Sequence, residues 1–192
     1  MKHHFFSLLS RMKYINRWGL MRSTHPENLS EHSLETAIIA HALCLINNKR
    51  LGGNLNAEKA AVLAMYHDST EIFTGDMPTP VKYDNEQIKA VYKQIETAAA
   101  EKLLSFLPDD LKGEYSEIFN PQDEYLKKIV KAADKISALI KCIEEGKMGN
   151  DEFRVAGDCT RKLIKELNMP EVEIFMSEFS GSYGLTLDEQ SR

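Results

Sequence analysis

AAVLAMYHDSTEIF, residues 60–73, is an apolar helical pattern with adjacent ionisable side chains set into it. Ala60, Leu63, Ala64 and Ile72 mark one side, and His67 continues that stripe. Asp68 follows about 100° round the helix axis, so the two side chains can converge beside it. Glu71 comes four residues after His67 and three after Asp68, and on a continuous helix it projects from the same face. Three ionisable groups on a mostly buried stretch are costly unless they are paired or hold a cation. The pattern thus predicts an unbroken helix that carries a charged cluster.

The same periodicity extends in both directions. Phe5, Leu8, Leu9 and Met12 predict a first helix. Asn28 with Glu31 reads as a capping box opening a helix to about Asn47, before Gly52 and Gly53. Asn56 caps the helix bearing His67. Residues 74–80 hold two prolines and a glycine, and read as an irregular stretch. Asp84 with Gln87 restarts a helix that ends near Leu107 and Pro108. Further helices are expected near 109–119, 122–145, 150–167 and 170–178, with a loosely ordered tail after Gly181. Alternating runs of β-branched residues are almost absent, so the expected class is all-α, as one domain over 1–192.

Composition narrows the function. The chain has 192 residues, 43% hydrophobic and 28% charged, the mix of a globular protein that can bury a full core. Its net charge of −5, with no basic block, argues against nucleic-acid binding driven by phosphate contacts. Apolar runs fall far short of the roughly 20 residues a bilayer requires, and the start lacks a secretory pattern. A cytoplasmic protein without membrane association is expected. Cys44, Cys142 and Cys159 form no CxxC pair, so neither a disulfide framework nor a thiolate zinc site is expected.

Two further residues stand out. Asp134 lies in IVKAADKISALIK, residues 129–141, among Val130, Ala133, Ser137 and Ala138. A carboxylate among such neighbours suggests close packing against a specific partner; the plainer reading pairs it with Lys131 or Lys135. His32 lies one turn into the helix capped by Asn28, where a histidine is more often a packed or surface residue than a ligand. His41 falls nearly opposite on that helix, while His3, His4 and His25 lie at the terminus or in a loop. The order His32, His67-Asp68, Asp134 suits Mn²⁺, Co²⁺, Fe²⁺ or Zn²⁺ and leaves positions for water and a substrate oxygen.

This pattern resembles the HD-domain metal-dependent phosphohydrolases, named for the adjacent His-Asp pair. More narrowly, INRWGLMR (15–22), ENLSEHSLETA (27–37), AMYHDSTEIFTGDMPTPVKY (64–83) and VKAADKISALIKCIEE (130–145) resemble the bacterial 5′-deoxynucleotidases of the YfbR type. The similarity covers nearly the whole chain, and GDMPTPVKY with NRW is far more specific than HD itself. The resemblance implies an all-helical, homodimeric, cytosolic hydrolase of deoxyribonucleoside 5′-monophosphates. It implies one divalent ion (Co, Mn, Zn, Fe or Cu, with Co or Mn favoured) held by His32, His67, Asp68 and Asp134. Arg17 matches the phosphate-binding arginine, Trp18 the residue near the sugar and Glu71 the acid/base carboxylate. Asp76, Met77, Pro78 and Thr79 match the nucleotide-contacting loop, with Asp76 also in the catalytic set. His32, Asp68 and Asp134 are expected to face the substrate as well as the ion.

The implied chemistry suits these residue types. A divalent ion neutralises phosphate charge and acidifies a water. Glu71 could then serve the water or the departing 5′ oxygen, and the planar fork of Arg17 suits a dianionic phosphate as a lysine does not. Trp18 would exclude a 2′-hydroxyl by bulk and by leaving it unpaired; without the resemblance it reads as a core anchor near a helix end. Broad base tolerance follows if phosphate and sugar are what the pocket reads. Two alternatives compete: another HD hydrolase reaction, on a nucleoside triphosphate, cyclic dinucleotide or alarmone, and a nucleotide sensor without turnover. The helices near 84–107 and 150–167 have enough apolar positions to serve a dimer.

Overall fold

The computed structural model describes residues 3–82 and 85–191, with the side chains of Thr79 and Pro80 outside the described set. Asp84, expected as a helix cap, lies outside the described residues; the observed cap is Asn85, which accepts from the Ile88 N–H.

Helix α1 (Phe5–Leu9) runs into a 3₁₀ turn, Ser10–Tyr14. Asn28 then opens α2 (Leu29–Arg50), its side chain accepting from Ser30 and Glu31 while Glu31 reaches back. The capping box is as read, but the helix runs three residues past Asn47, to Arg50. Asn56 caps α3 (Ala57–Tyr66), and two short helices follow, α4 (Glu71–Thr74) and α5 (Thr79–Lys82). The rest comprises α6 (Glu86–Leu104), α7 (Asp109–Phe119), α8 (Glu124–Lys147), α9 (Arg154–Glu166), α10 (Pro170–Glu178) and α11 (Leu187–Gln190). Among the described residues the only β feature is one antiparallel bridge, Asn16 with Asn28. The tail after Gly181 is placed as a 3₁₀ turn and the single turn α11, closed by a capping box of Thr186 and Glu189.

The long helix expected through His67 stops at Tyr66. From there the amides bond three residues back rather than four: Ser69 to Tyr66 and Glu71 to Asp68. Side chains compete for the same carbonyls, with His67 Nδ1 2.7 Å from the Ala64 oxygen and Ser69 Oγ donating to Tyr66 at 2.6 Å. Short polar side chains that bond their own backbone in this way displace the regular ladder. Glu71 therefore starts a new helix. The proline stretch is also more regular than expected: Val81 and Lys82 donate to the Pro78 carbonyl, giving α5. Pro80 sits in the first turn, where a missing N–H costs nothing.

Small residues bring α2, α3 and α8 close together. Ala37 and Ala40 of α2, Ala60 and Ala64 of α3, and Ala132 and Ala133 of α8 are buried beside Leu43, Leu63, Ile129 and Ile136. Each large apolar side chain buried there contributes about 1.5–3 kcal/mol. Cys44 is a buried free thiol within this packing, Cys142 is a buried free thiol of α8 lying against Gly157 of α9, and Cys159 is exposed. A second cluster forms around Phe5, Leu103 and Leu107, with Ile72 and Phe73 of α4 packed against it.

Residues 15–28 form a closed excursion whose ends pair. The Arg17 amide donates to Glu27 and the Leu29 amide to Ile15, which lays Arg17 and Trp18 beside the start of α2. The buried Glu145 of α8 pins the excursion from below. It accepts from Thr24 N, Thr24 Oγ1, His25 N, Asn150 Nδ2 and the buried Lys141, which also donates to the His25 carbonyl.

Candidate metal centre and active site

The tight packing of α2, α3 and α8 sets four side chains around one point. His32 comes from α2, His67 and Asp68 from the turn after α3, and Asp134 from α8. His32 Nε2 lies 3.5 Å from Asp68 Oδ2 and 3.2 Å from Asp134 Oδ1. His67 Nε2 lies 3.2 Å from Asp68 Oδ2 and 3.9 Å from Asp134 Oδ1. His32, His67 and Asp68 each offer a donor atom within 4.8 Å of the others. The side chain of Asp134 is 34% exposed and faces the histidines and Arg17.

These residues fit a divalent cation. His67 is held by its Nδ1, which can only donate to the Ala64 carbonyl, so in the neutral ring Nε2 carries the lone pair. That Nε2 is buried without a hydrogen-bond partner. A lone pair facing two carboxylates is repulsive until a proton or a metal ion enters, and the set of imidazoles and carboxylates suits borderline to moderately hard ions. The electrostatics express the same frustration. Burial works against a charged His67, yet Asp68 and Asp134 outweigh it and hold its pKa well above the ordinary value. Burial opposes ionisation of Asp68 and Asp134 too, but the histidines hold both carboxyls well below the usual range. For His32, burial and then the charge of Arg17 prevail and lower its pKa.

Glu71 is 5% exposed, and its Oε2 has no partner. Burial first, then the charges of Asp68 and Asp76, push its carboxyl up to about 9, against the opposing pull of Lys82 and Arg17. Lys82 of α5 sits 3.8 Å from Glu71 Oε1 and 2.8 Å from Glu96 Oε1. Glu71 is thus a carboxylic acid with a free oxygen in a mostly dry setting, the condition for proton transfer near neutral pH.

Arg17 and Trp18 meet this cluster from the excursion. Arg17 Nη1 bonds Glu27 Oε2 at 2.7 Å, Nη2 lies 4.0 Å from Asp134 Oδ1, and Nε is buried without a partner. Trp18 has φ of +61°, strained for a bulky residue. Its amide donates to Asp76 Oδ2 at 3.2 Å, its indole N–H to Glu27 Oε2 at 3.1 Å, and its ring meets Phe153 edge-on at 5.2 Å. Trp18 is half-buried and lies four residues past the end of the 3₁₀ turn, its ring against the fully buried Phe153. Met77 and Pro78 follow Asp76 as half-buried residues, and Thr79 begins α5 with its side chain outside the described set.

Three supporting residues escaped the sequence reading. Glu27 holds both Arg17 and Trp18. Ser137 Oγ lies 2.9 Å from His32 Nδ1 and donates to Glu35 Oε2 at 2.6 Å. Glu35 and Ser137 fall three residues after His32 and Asp134, and that shared spacing was the available signal.

Comparison with known proteins agrees with this geometry. Residues 4–183 match the family described as 5′-deoxynucleotidase YfbR-like. The chain is 51% identical over 190 residues to a 5′-deoxynucleotidase of Vibrio parahaemolyticus, covering 98% of both chains. It is 49% identical over 191 residues to the 5′-deoxynucleotidase YfbR of Salmonella paratyphi B, covering 98% of this chain and 96% of the relative. In fold it is similar to an HD-domain phosphohydrolase from Listeria innocua, with TM-score 0.83 at 22% identity, over 98% of this chain and 92% of that one. It is also similar to the cyanophage S-2L HD phosphohydrolase bound to dA and one catalytic Zn²⁺ ion, with TM-score 0.68 at 21% identity, over 94% and 96%.

Proposed function

The chain belongs to the 5′-deoxynucleotidase YfbR-like family, and on that premise we propose that it hydrolyses deoxyribonucleoside 5′-monophosphates to deoxynucleoside and phosphate, with broad base tolerance and selection against ribonucleotides. It is a metal-dependent nucleotide phosphohydrolase of this type. The observation that carries the reading is the turning of His32 Nε2 and His67 Nε2 toward one point shared with Asp68 and Asp134.

His32, His67, Asp68 and Asp134 would hold one divalent ion, with Co²⁺ or Mn²⁺ favoured. When bound, such an ion neutralises charge on phosphate oxygens and acidifies water. Arg17, with its unpartnered Nε, binds and orients the phosphate. Glu71 uses its free Oε2 to hold the proton that is exchanged with the water or with the departing 5′ oxygen. Asp76 fixes the Trp18 backbone, and the indole forms the wall that a 2′-hydroxyl would strike. Met77, Pro78 and Thr79 complete the nucleotide-contacting loop.

We also infer a homodimer acting in the cytoplasm. No helix among the described residues is long and apolar enough to cross a membrane. On the outer face of α2, Leu34, Ile38 and Leu45 are exposed, Ile38 at 62%. With His41 they follow spacings of four, three and four, a series that reads the same in both directions. An antiparallel second copy of α2 would set Leu34 against Leu45 and the exposed Glu31 near Lys49. Val91 and Ile95 of α6, and Val155 and Leu163 of α9, are also exposed, but each gives a shorter patch. Ile38→Glu is expected to yield a monomer in sedimentation, and an unchanged mass would move the interface elsewhere.

The function is tested by offering the Co²⁺-loaded protein dAMP, dATP and a cyclic dinucleotide in parallel. Phosphate from dAMP alone supports the reading. Preferential turnover of either other compound would replace it with another HD reaction, and tight binding without turnover would replace it with a sensor.

A further inference from the structure

His32 and Asp134 are each followed three residues later, on the same helix, by a polar side chain: Glu35 on α2 and Ser137 on α8. The pair forms one chain of contacts with His32. His32 Nδ1 lies 2.9 Å from Ser137 Oγ, and Ser137 Oγ donates to Glu35 Oε2 at 2.6 Å. Both His32 and Ser137 are fully buried, so exchange of these partners for bulk water is barred.

A hydroxyl has one proton. While Glu35 takes it, Ser137 can meet His32 only as an acceptor, and His32 must carry its own proton on Nδ1. Nε2 is then a lone pair, and this is the nitrogen facing Asp68 and Asp134. Thr36 Oγ1 lies 3.5 Å from that nitrogen, at the outer limit of a hydrogen bond. The neutral ring of His67 is set in the same tautomer by a different route, through the Ala64 carbonyl of its own turn. The tautomer of His67 is therefore built into the backbone, whereas that of His32 depends on two side chains from two helices.

We propose that Glu35 and Ser137 are positioning residues of the metal centre, which hold His32 in its Nδ1–H tautomer and so present Nε2 as a ligand before an ion arrives. This rests on the reading of His32 as a metal ligand. Neither residue touches the reacting atoms. Both act through the ring they orient, as outer partners of ligating histidines do elsewhere.

The test is Co²⁺ titration of the metal-stripped protein, read by cobalt absorption and chelator competition, together with the ¹⁵N spectrum of the histidine rings without metal. Ser137→Ala is expected to weaken Co²⁺ binding by about 10–100-fold. Glu35→Ala should match it, because the freed hydroxyl can turn its proton toward Nδ1 and drive the ring proton to Nε2. Glu35→Gln retains an acceptor oxygen and is expected to stay within about threefold of the natural protein. The double variant Ser137→Ala with Glu35→Ala should be no weaker than the weaker single, since both changes break one chain. Reduced thermal stability with an unchanged Kd would reduce the pair to packing and overturn the proposal. So would an Nε2–H signal for His32 in the natural protein, a result that needs no variant to fold. A natural protein that binds no Co²⁺ defeats the metal reading itself, while the ring spectrum still decides the relay.

Discussion

Arg17 Nη1 and Glu27 Oε2 stand 2.7 Å apart, and the same carboxylate oxygen accepts the indole N–H of Trp18 at 3.1 Å. One side chain thus sets both the proposed phosphate arm and the proposed sugar wall. Glu27→Ala is expected to raise KM for dAMP and to narrow the dAMP-over-AMP preference together. Glu27→Gln, which keeps an acceptor, should lose less of the preference. A higher KM with the sugar preference intact would uncouple the two roles.

Arg17 supplies a planar fork that a lysine does not reproduce. Arg17→Ala is expected to lower kcat/KM by about 10²-fold or more, through both KM and kcat, if the proposed phosphate contact is made in the ground state and as charge redistributes. Arg17→Lys should recover only a minor part. Steady-state kinetics on dAMP separates the two terms.

Glu71 links turnover to stability. Glu71→Gln should reduce kcat by about 10²–10⁴-fold if its proton is used. In the metal-stripped protein its carboxyl sits at about 9, above an ordinary 4.5. The native state then keeps a proton that the unfolded chain releases, so the stability from the neutral carboxyl is complete below 4.5 and is lost as pH rises toward 9. Glu71→Gln should therefore gain on the natural protein with pH, by about 2 °C or more in Tm between pH 5 and pH 8. A constant difference across that range would contradict the buried neutral acid.

The excursion carrying Arg17 and Trp18 hangs on the buried Lys141–Glu145 pair, whose atoms lie 2.6 Å apart. Lys141→Met removes the charged partner and leaves Glu145 a buried carboxylate held by neutral donors alone, and should cost about 3–5 kcal/mol. Thermal unfolding measures this cost, and hydrogen exchange over residues 22–28 shows whether the excursion loosens first.

Much of this was legible along the chain. Asn28 and Asn56 announced their helices because a cap is a local device, readable within four residues. His67, Asp68 and Asp134 stood out because ionisable groups in apolar stripes need a partner. The break at Tyr66 was not legible, since it depends on His67 and Ser69 taking carbonyls that a regular helix would use for amides. Glu27, Glu35 and Ser137 were missed for a further reason. Each is an ordinary polar residue of its segment, and Ser137 meets His32 only when residues 105 positions apart are folded together. The NRW and GDMPTPVKY segments pointed to the site through resemblance alone, while the structure supplies the reason they meet, in the bond from the Trp18 amide to Asp76.

Metal binding should register in stability as well as in rate. Because the ion binds the folded chain, Co²⁺ at about 100 times its Kd should add about 2.7 kcal/mol, and a chelator should remove it. Asp134→Asn should lose most of that increment. A Tm indifferent to Co²⁺ would mean that the four side chains do not hold it.

The most direct measurement is phosphate release from dAMP and from AMP, side by side, with metal stripped and then with Co²⁺, Mn²⁺, Mg²⁺ or Zn²⁺ restored. The expected result is turnover of dAMP that depends on added metal, with AMP left largely intact. Equal turnover of both would contradict Trp18 as the sugar wall, and absence of release with every metal in folded protein would contradict the phosphomonoesterase itself.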